Sequence, residues 1–119
     1  MNRLEIMKQS RENLANGWCQ RDFGQDARGL SVPIIDIRQA VKVCMKGAIY
    51  KASATSSAEE AVLSLVMKHC QLKDPKYDTI GGFNDSADRT QEECLEVFDA
   101  AIRELEEQLR NNNPNNKYR

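Results

Sequence analysis

A chain of 119 residues has the size of one domain, and at that length folding buries about two-thirds of the surface the unfolded chain exposes. Its residues are 40% apolar and 29% charged, and no apolar run reaches the roughly 18 residues that a membrane-spanning helix requires. The net charge of −1 argues against nonspecific attraction to nucleic-acid phosphates, so direct nucleic-acid binding is not expected.

The opening residues, MNRLEIMKQSRENL, thread charges through their apolar positions and lack the unbroken apolar core of a secretory signal, which predicts a cytoplasmic protein. Residues 2 to 16 read as a helix with Leu4, Met7 and Leu14 near one face, and Gly17 stands where helices often end in a left-handed turn. Trp18 follows as a bulky anchor whose indole N–H needs a partner. From Gln20 to Ile35 the periodicity lapses around Gly24, Gly29 and Pro33, which predicts a long loop with room for a short β-hairpin. Asp36 with Gln39 spells a capping box, and Ile37, Ala40, Val41, Cys44 and Ala48 suggest a helix to residue 51. Its opposite face carries Arg38, Lys42, Lys46 and Lys51, a basic stripe. Gly47 and Ala48 would let another helix approach closely.

A linker over residues 53 to 57 leads to a second capping box, Ser57 with Glu60, and to a helix over 58 to 71 that is apolar around most of its girth and is expected to be the central one. His69 is the only histidine, so a Cys/His dyad is the sole nucleophilic option. Cys19, Cys44, Cys70 and Cys94 form no CxxC pair and read as buried, reduced thiols, with no metal site or cofactor expected. A second long loop, Lys73 to Arg89, contains Pro75 and a Gly81-Gly82 pair suited to a sharp turn. A third capping box, Thr90 with Glu93, opens a helix over 91 to 110 with Cys94, Leu95, Phe98, Ala101, Ile102, Leu105 and Leu109 at helical spacing. The fold expected is therefore mostly α: a compact four-helix single domain over residues 1 to 110 with two long loops, followed by a disordered tail over 111 to 119.

The densest cluster of polar groups is Asn84-Asp85-Ser86-Ala87-Asp88-Arg89-Thr90. Two readings stand side by side. In one, Trp18, Asn84, Asp85 and Arg89 converge as an aromatic platform, an amide and a guanidinium that hold a planar, nucleotide-like ligand. In the other, Asn84 and Asp85 make Asx turns, Asp88 or Thr90 caps the helix, and Arg89 ties the loop down through a carboxylate; ordinary turn chemistry favours this second reading.

Three stretches, Gly17-Trp18-Cys19-Gln20, Cys44-Met45-Lys46-Gly47-Ala48, and Asn84-Asp85 followed by Arg89-Thr90, resemble a family of small uncharacterised proteins of actinobacteria and bacteriophages. The resemblance spans about residue 4 to residue 105 and departs at Val43, where the family carries a second tryptophan. It implies a helical fold and a mobile-element origin, and no chemistry.

No serine elbow, multi-histidine site or phosphate-cradling glycine loop is present, so the expectation leans away from an enzyme and toward a binding protein. The last helix carries seven acids against two bases, and Glu92, Glu96, Asp99 and Glu107 are the partner-binding candidates on its outer face. The expected role is an inhibitor of a bacterial defence system that occupies a host protein. The alternative is capture of a nucleotide-like signal, and a small enzyme using Asp85 with Arg89 ranks below both.

Overall fold

The computed structural model describes residues 1–53 and 56–112. Helix α1 spans Arg3–Asn16; two-residue strands β1 (Gly24–Gln25) and β2 (Ser31–Val32) precede a 3₁₀ helix, Ile34–Gln39, and strand β3 (Lys42–Val43). Then come α2 (Met45–Ala52), α3 (Ser56–Lys73), the short α4 (Ile80–Asn84) and α5 (Gln91–Asn111). The fold is mostly α, and a small antiparallel sheet of order β2-β1-β3 completes it. The hairpin that residues 20 to 35 had room for is present as β1 and β2, with Gly24 opposite Val32. The expected tail begins inside α5, whose last turn runs to Asn111; residues 113 to 119 lie outside the described residues.

Helix α1 starts with a capping box that pattern reading passed over: Asn2 accepts from the Glu5 N–H, and the Glu5 carboxylate accepts from the Asn2 N–H. It ends at Gly17, whose φ of 171° is extended, not the left-handed turn expected there. Glycine is needed at that point for space. A Cβ would stand 2.5 Å from the Val41 carbonyl oxygen, where Trp18 forms a parallel bridge to Val43.

The expected helix over 37 to 51 is the main correction. Residues 34 to 39 form a 3₁₀ helix, Ala40 is extended, and Lys42–Val43 pairs with Gly24–Gln25. β-branched Val41 and Val43 suit a strand, and Gly24 lets Ala40 and Ile37 close on the sheet, because its Cβ would lie 2.7 Å from Ala40 Cβ. The long-range pairing overrides the local Asp36 signal. Helix α2 is then capped by Cys44, whose sulfur accepts from the Gly47 N–H at 3.3 Å. Gly47 does permit a close approach, but by backbone: a Cβ there would collide with the Phe23 carbonyl oxygen. Gly47→Ala is therefore expected to destabilise the fold by about 1–3 kcal/mol through overpacking, measurable by urea unfolding.

The second capping pattern also shifts. Helix α3 begins at Ser56, so Ser57 lies within it; residues 54 and 55, part of the expected linker, are outside the described residues. Nor is α3 the central helix. Over its residues 57 to 73 only Val62, Val66 and Cys70 are buried, an i, i+4 stripe, while Met67 and Leu72 face solvent. The most enclosed helix is α2, with Met45, Gly47, Ala48, Ile49 and Ala52 all buried, and α1 packs against α2, α3 and α5.

Between α3 and α5, Gly81 and Gly82 do not make a sharp turn. They belong to α4, which Thr79 caps by accepting from the Gly82 N–H at 2.9 Å, and neither has a positive φ. This short helix turns Ile80, Phe83 and Asn84 into the core. Helix α5 behaves as its pattern predicts, with the Thr90/Glu93 capping box formed and Cys94, Phe98, Ala101 and Leu105 buried beside Val97. Leu109, at the end of the expected stripe, is exposed.

Candidate functional site

The two long connections meet, and Asn84 is where they are tied. Its side chain is fully buried, and both ends of the amide are occupied. Oδ1 accepts from Trp18 Nε1 at 2.9 Å and from the Met45 N–H at 3.0 Å, with the Cys94 thiol 4.0 Å away. Nδ2 donates to the Cys19 carbonyl at 3.2 Å and to Asp85 Oδ1 at 2.9 Å. One amide thereby joins the end of α1, the start of α2 and the head of α5. Around it, Gln20 Nε2 donates to the carbonyls of Asn84 and Ser86, and Asp85 Oδ1 accepts from the Arg21 N–H at 2.9 Å. That last bond helps hold Arg21 at φ 69°, a left-handed conformation that costs a non-glycine residue about 1–3 kcal/mol.

Asn84 thus makes long-range cross-links, not the local Asx turn that its position suggested. Trp18 is a half-buried anchor behind it. Arg89 points elsewhere: its guanidinium donates to the Phe83 carbonyl at 2.7 Å, pairs with Asp74 at 2.8 Å and Glu93 at 3.3 Å, and lies 3.6 Å over the Phe83 ring. Its side chain is 6% exposed, so it serves as the loop tie of the turn-chemistry reading. Of the four candidate ligand residues, Asn84 and Asp85 line a cleft, and Asp88 is exposed while Thr90 makes the cap.

That cleft, of about 350 Å³, lies where residues 21–23, Ser31, Cys44, Lys46, Gly81 and Asn84-Asp85 converge. Such a volume lies at the lower end of the range for small-molecule sites. Its wall includes Phe23, 38% exposed and backed by Tyr50 with ring centroids 5.8 Å apart. Charges of both signs border it: Arg21 and Lys46, Asp22 and Asp85. The Lys46 ammonium enters no ion pair or hydrogen bond among the described residues. Sequence reasoning missed Lys46 and Phe23 as site residues, because it placed Lys46 on a helical basic stripe that does not form. Lys51, from the same stripe, donates instead to the Ala40 carbonyl at 2.7 Å.

The thiols are buried and unpaired. Burial pushes Cys19, Cys70 and Cys94 up to about 12, and it raises Cys44 as well. His69 Nε2 lies 3.0 Å from Glu104 Oε1, so the histidine partners a carboxylate and forms no dyad with a thiol. Glu104 is in turn held below its usual range, first by the hydrogen bond from Lys68. Thiol reagents at neutral pH are expected to label the native protein at least ~100-fold more slowly than the urea-unfolded chain. Stoichiometric labelling of Cys44 within minutes in the native state would contradict its burial. Among the described residues no group of three or more His, Cys, Asp or Glu is placed to hold a metal ion.

A family model matches residues 3–104, most of the chain. The protein belongs to DUF6197, a family of unknown function. No curated protein and no solved structure matches the chain. Within this DUF6197 chain, the stretches singled out in the sequence, Gly17 to Gln20, Cys44 to Ala48 and Asn84-Asp85, meet at the Asn84 amide, whereas Arg89-Thr90 ties the loop and caps α5. No helix among the described residues is long and apolar enough to cross a membrane.

The acidic face of α5 is less acidic than its composition suggests. Asp99 pairs with Arg11 at 2.8 Å and Glu96 with Lys73 at 3.1 Å, while Glu104 and Glu106 meet Lys68 and Lys8. Glu92 and Glu107 are exposed and outside these pairs. Surface pairs of this kind contribute little to stability, but they cancel much of the local field.

Proposed function

We propose that the protein is a non-enzymatic binding protein for a small planar anion of the nucleotide kind, held in the cleft beside Asn84. The observation that carries this reading is the cleft itself: an exposed phenyl face and an unpaired half-buried ammonium in a hollow that a buried polar network keeps in shape. Phe23 would stack on the planar part, Lys46 with Arg21 would meet the anionic part, and Asp22, Asp85 and Ser31 would accept from amino or hydroxyl groups. Asn84 and Trp18 would fix the wall without touching the ligand. The Cys44 thiol at the cleft is kept protonated by burial, which supports capture over covalent catalysis.

Withdrawing a nucleotide signal would suffice to inhibit a bacterial defence system that such a signal triggers, with no protein surface involved. The alternative of a host protein meeting Glu92, Glu96, Asp99 and Glu107 has less support, because two of these four acids already face cations of the same chain.

Calorimetric titration with a panel of purine and pyrimidine nucleotides tests the proposal. Saturable binding is expected for at least one of them, weakened about tenfold or more by Lys46→Ala, the loss of one charge-assisted contact, with thermal stability unchanged. No binding across the panel, an unaltered affinity in Lys46→Ala, or turnover of the bound nucleotide would each contradict it.

A further inference from the structure

Helices α1, α3 and α5 border a hollow of about 270 Å³ that shares no lining residue with the cleft beside Asn84. Each helix contributes residues three or four positions apart, which stand on one face. Arg3 and Met7 come from α1 and Leu105 and Gln108 from α5. Helix α3 supplies Ala61, Leu65 and Lys68, with Val62 and Ser64 beside them. Ala61 and Ser64 are the small side chains of this lining, and larger ones there would fill the space.

Polarity is graded from floor to mouth. The floor is apolar and closed to solvent, with Met7 0% exposed, Val62 1% and Leu105 3%. Ala61 and Leu65 form half-buried walls, and Arg3, Ser64, Lys68 and Gln108 are exposed at the mouth. Among the described residues no carboxylate lines the hollow. The nearest acid tied to it, Glu104, is already engaged: Oε1 accepts from Lys68 at 2.8 Å and Oε2 from Gln108 at 3.1 Å. Lys68 is committed to that pair. The Arg3 guanidinium, in contrast, enters no ion pair or hydrogen bond among the described residues.

We infer that this hollow binds a medium-chain aliphatic carboxylate, with its tail on Met7, Val62, Leu65 and Leu105 and its head group on Arg3. Volume sets the size: an apolar cavity of about 150 Å³ admits benzene, and pockets for drug-sized ligands begin at about 300 Å³. The lining sets the shape. It holds no aromatic ring for a planar ligand to stack on, and the unbranched, flexible Met7 side chain adapts to an aliphatic tail. Arg3 sets the head group, because a guanidinium fork matches a carboxylate through paired N–H donors and this fork has no competing acceptor in the fold. The site stands apart from the nucleotide reading of the other cleft, and either can fail without the other.

NMR titration of the methyl-labelled full chain with sodium decanoate, kept below its micelle concentration, tests the inference. Saturating shifts are expected at the methyl groups of Met7, Val62, Leu65 and Leu105. Decyltrimethylammonium, with the same tail and the opposite charge, is expected to bind at least tenfold more weakly. Arg3→Gln removes an exposed guanidinium and should lower decanoate affinity at least tenfold with an unchanged melting temperature. Ser64→Phe, at the exposed mouth, should block decanoate and keep the wild-type fold. Shifts that stay linear in decanoate or fall outside these methyl groups would overturn the inference. So would equal binding of the cationic analogue, unaltered affinity in Arg3→Gln, or a preference for phosphatidylglycerol vesicles over decanoate, which would assign Arg3 to a lipid surface.

Discussion

Asn84→Ala is expected to lower the unfolding free energy by about 3–5 kcal/mol, as much as truncating a buried phenylalanine. The side chain is small, so little apolar burial is lost. What is lost is partnership: the Trp18 indole N–H, the Met45 N–H and the Cys19 carbonyl would all face the cavity left behind. A buried group left unsatisfied costs about 1–3 kcal/mol, and three such groups exceed the sum that relaxation or an entering water recovers. Because Met45 is the first residue of α2 and Trp18 bridges to Val43, loss of the amide should also loosen the contact between strand and helix. Urea unfolding followed by circular dichroism measures the cost, and a loss below about 1 kcal/mol would show that the amide does not organise the fold.

Arg89→Met is the second. The guanidinium is enclosed by Asp74, Glu93, the Phe83 carbonyl and the Phe83 ring. Removing one partner of an enclosed ion pair typically costs about 3–5 kcal/mol, because the remaining carboxylate and carbonyl keep their desolvation without its compensation. Asp74 is 26% exposed and can recover part of its hydration, which places this variant at the lower end of that range. Arg89→Lys should not rescue it, since an ammonium cannot reach the carbonyl and both acids in the planar geometry that a guanidinium provides. Thermal melts of both variants against wild type would check this, and a Lys variant as stable as wild type would contradict the fork geometry.

These two residues also show what the sequence could and could not convey. Thr90 with Glu93 was legible because a capping box is complete within four residues, and the apolar spacing of α5 repeats the same message over five turns. Asp36 with Gln39 gave an equally good local signal and failed. The segment it should have opened is claimed by Gly24 and Gln25, residues a dozen positions earlier that no local pattern links to it. Arg89 as a loop tie was readable, since carboxylates flank it in the chain. Asn84 was readable as important but not as what it is, because its partners at positions 18, 19 and 45 come together only when the two connections meet. Lys46 and Phe23 were illegible as a site for the same reason: the cleft exists only between segments that folding brings together.

The division of labour at this site leads to a direct test. Asn84, Trp18 and Arg89 hold structure, and Phe23, Lys46 and Arg21 line the cleft proposed to take a nucleotide. NMR titration of the labelled protein with the tightest-binding nucleotide of the panel locates the site without mutation. The account predicts shifts confined to the amides of residues 21–23, 31, 44–46 and 81–85. Shifts confined to the face of α5 around Glu96 and Asp99, or none at millimolar nucleotide, would contradict it.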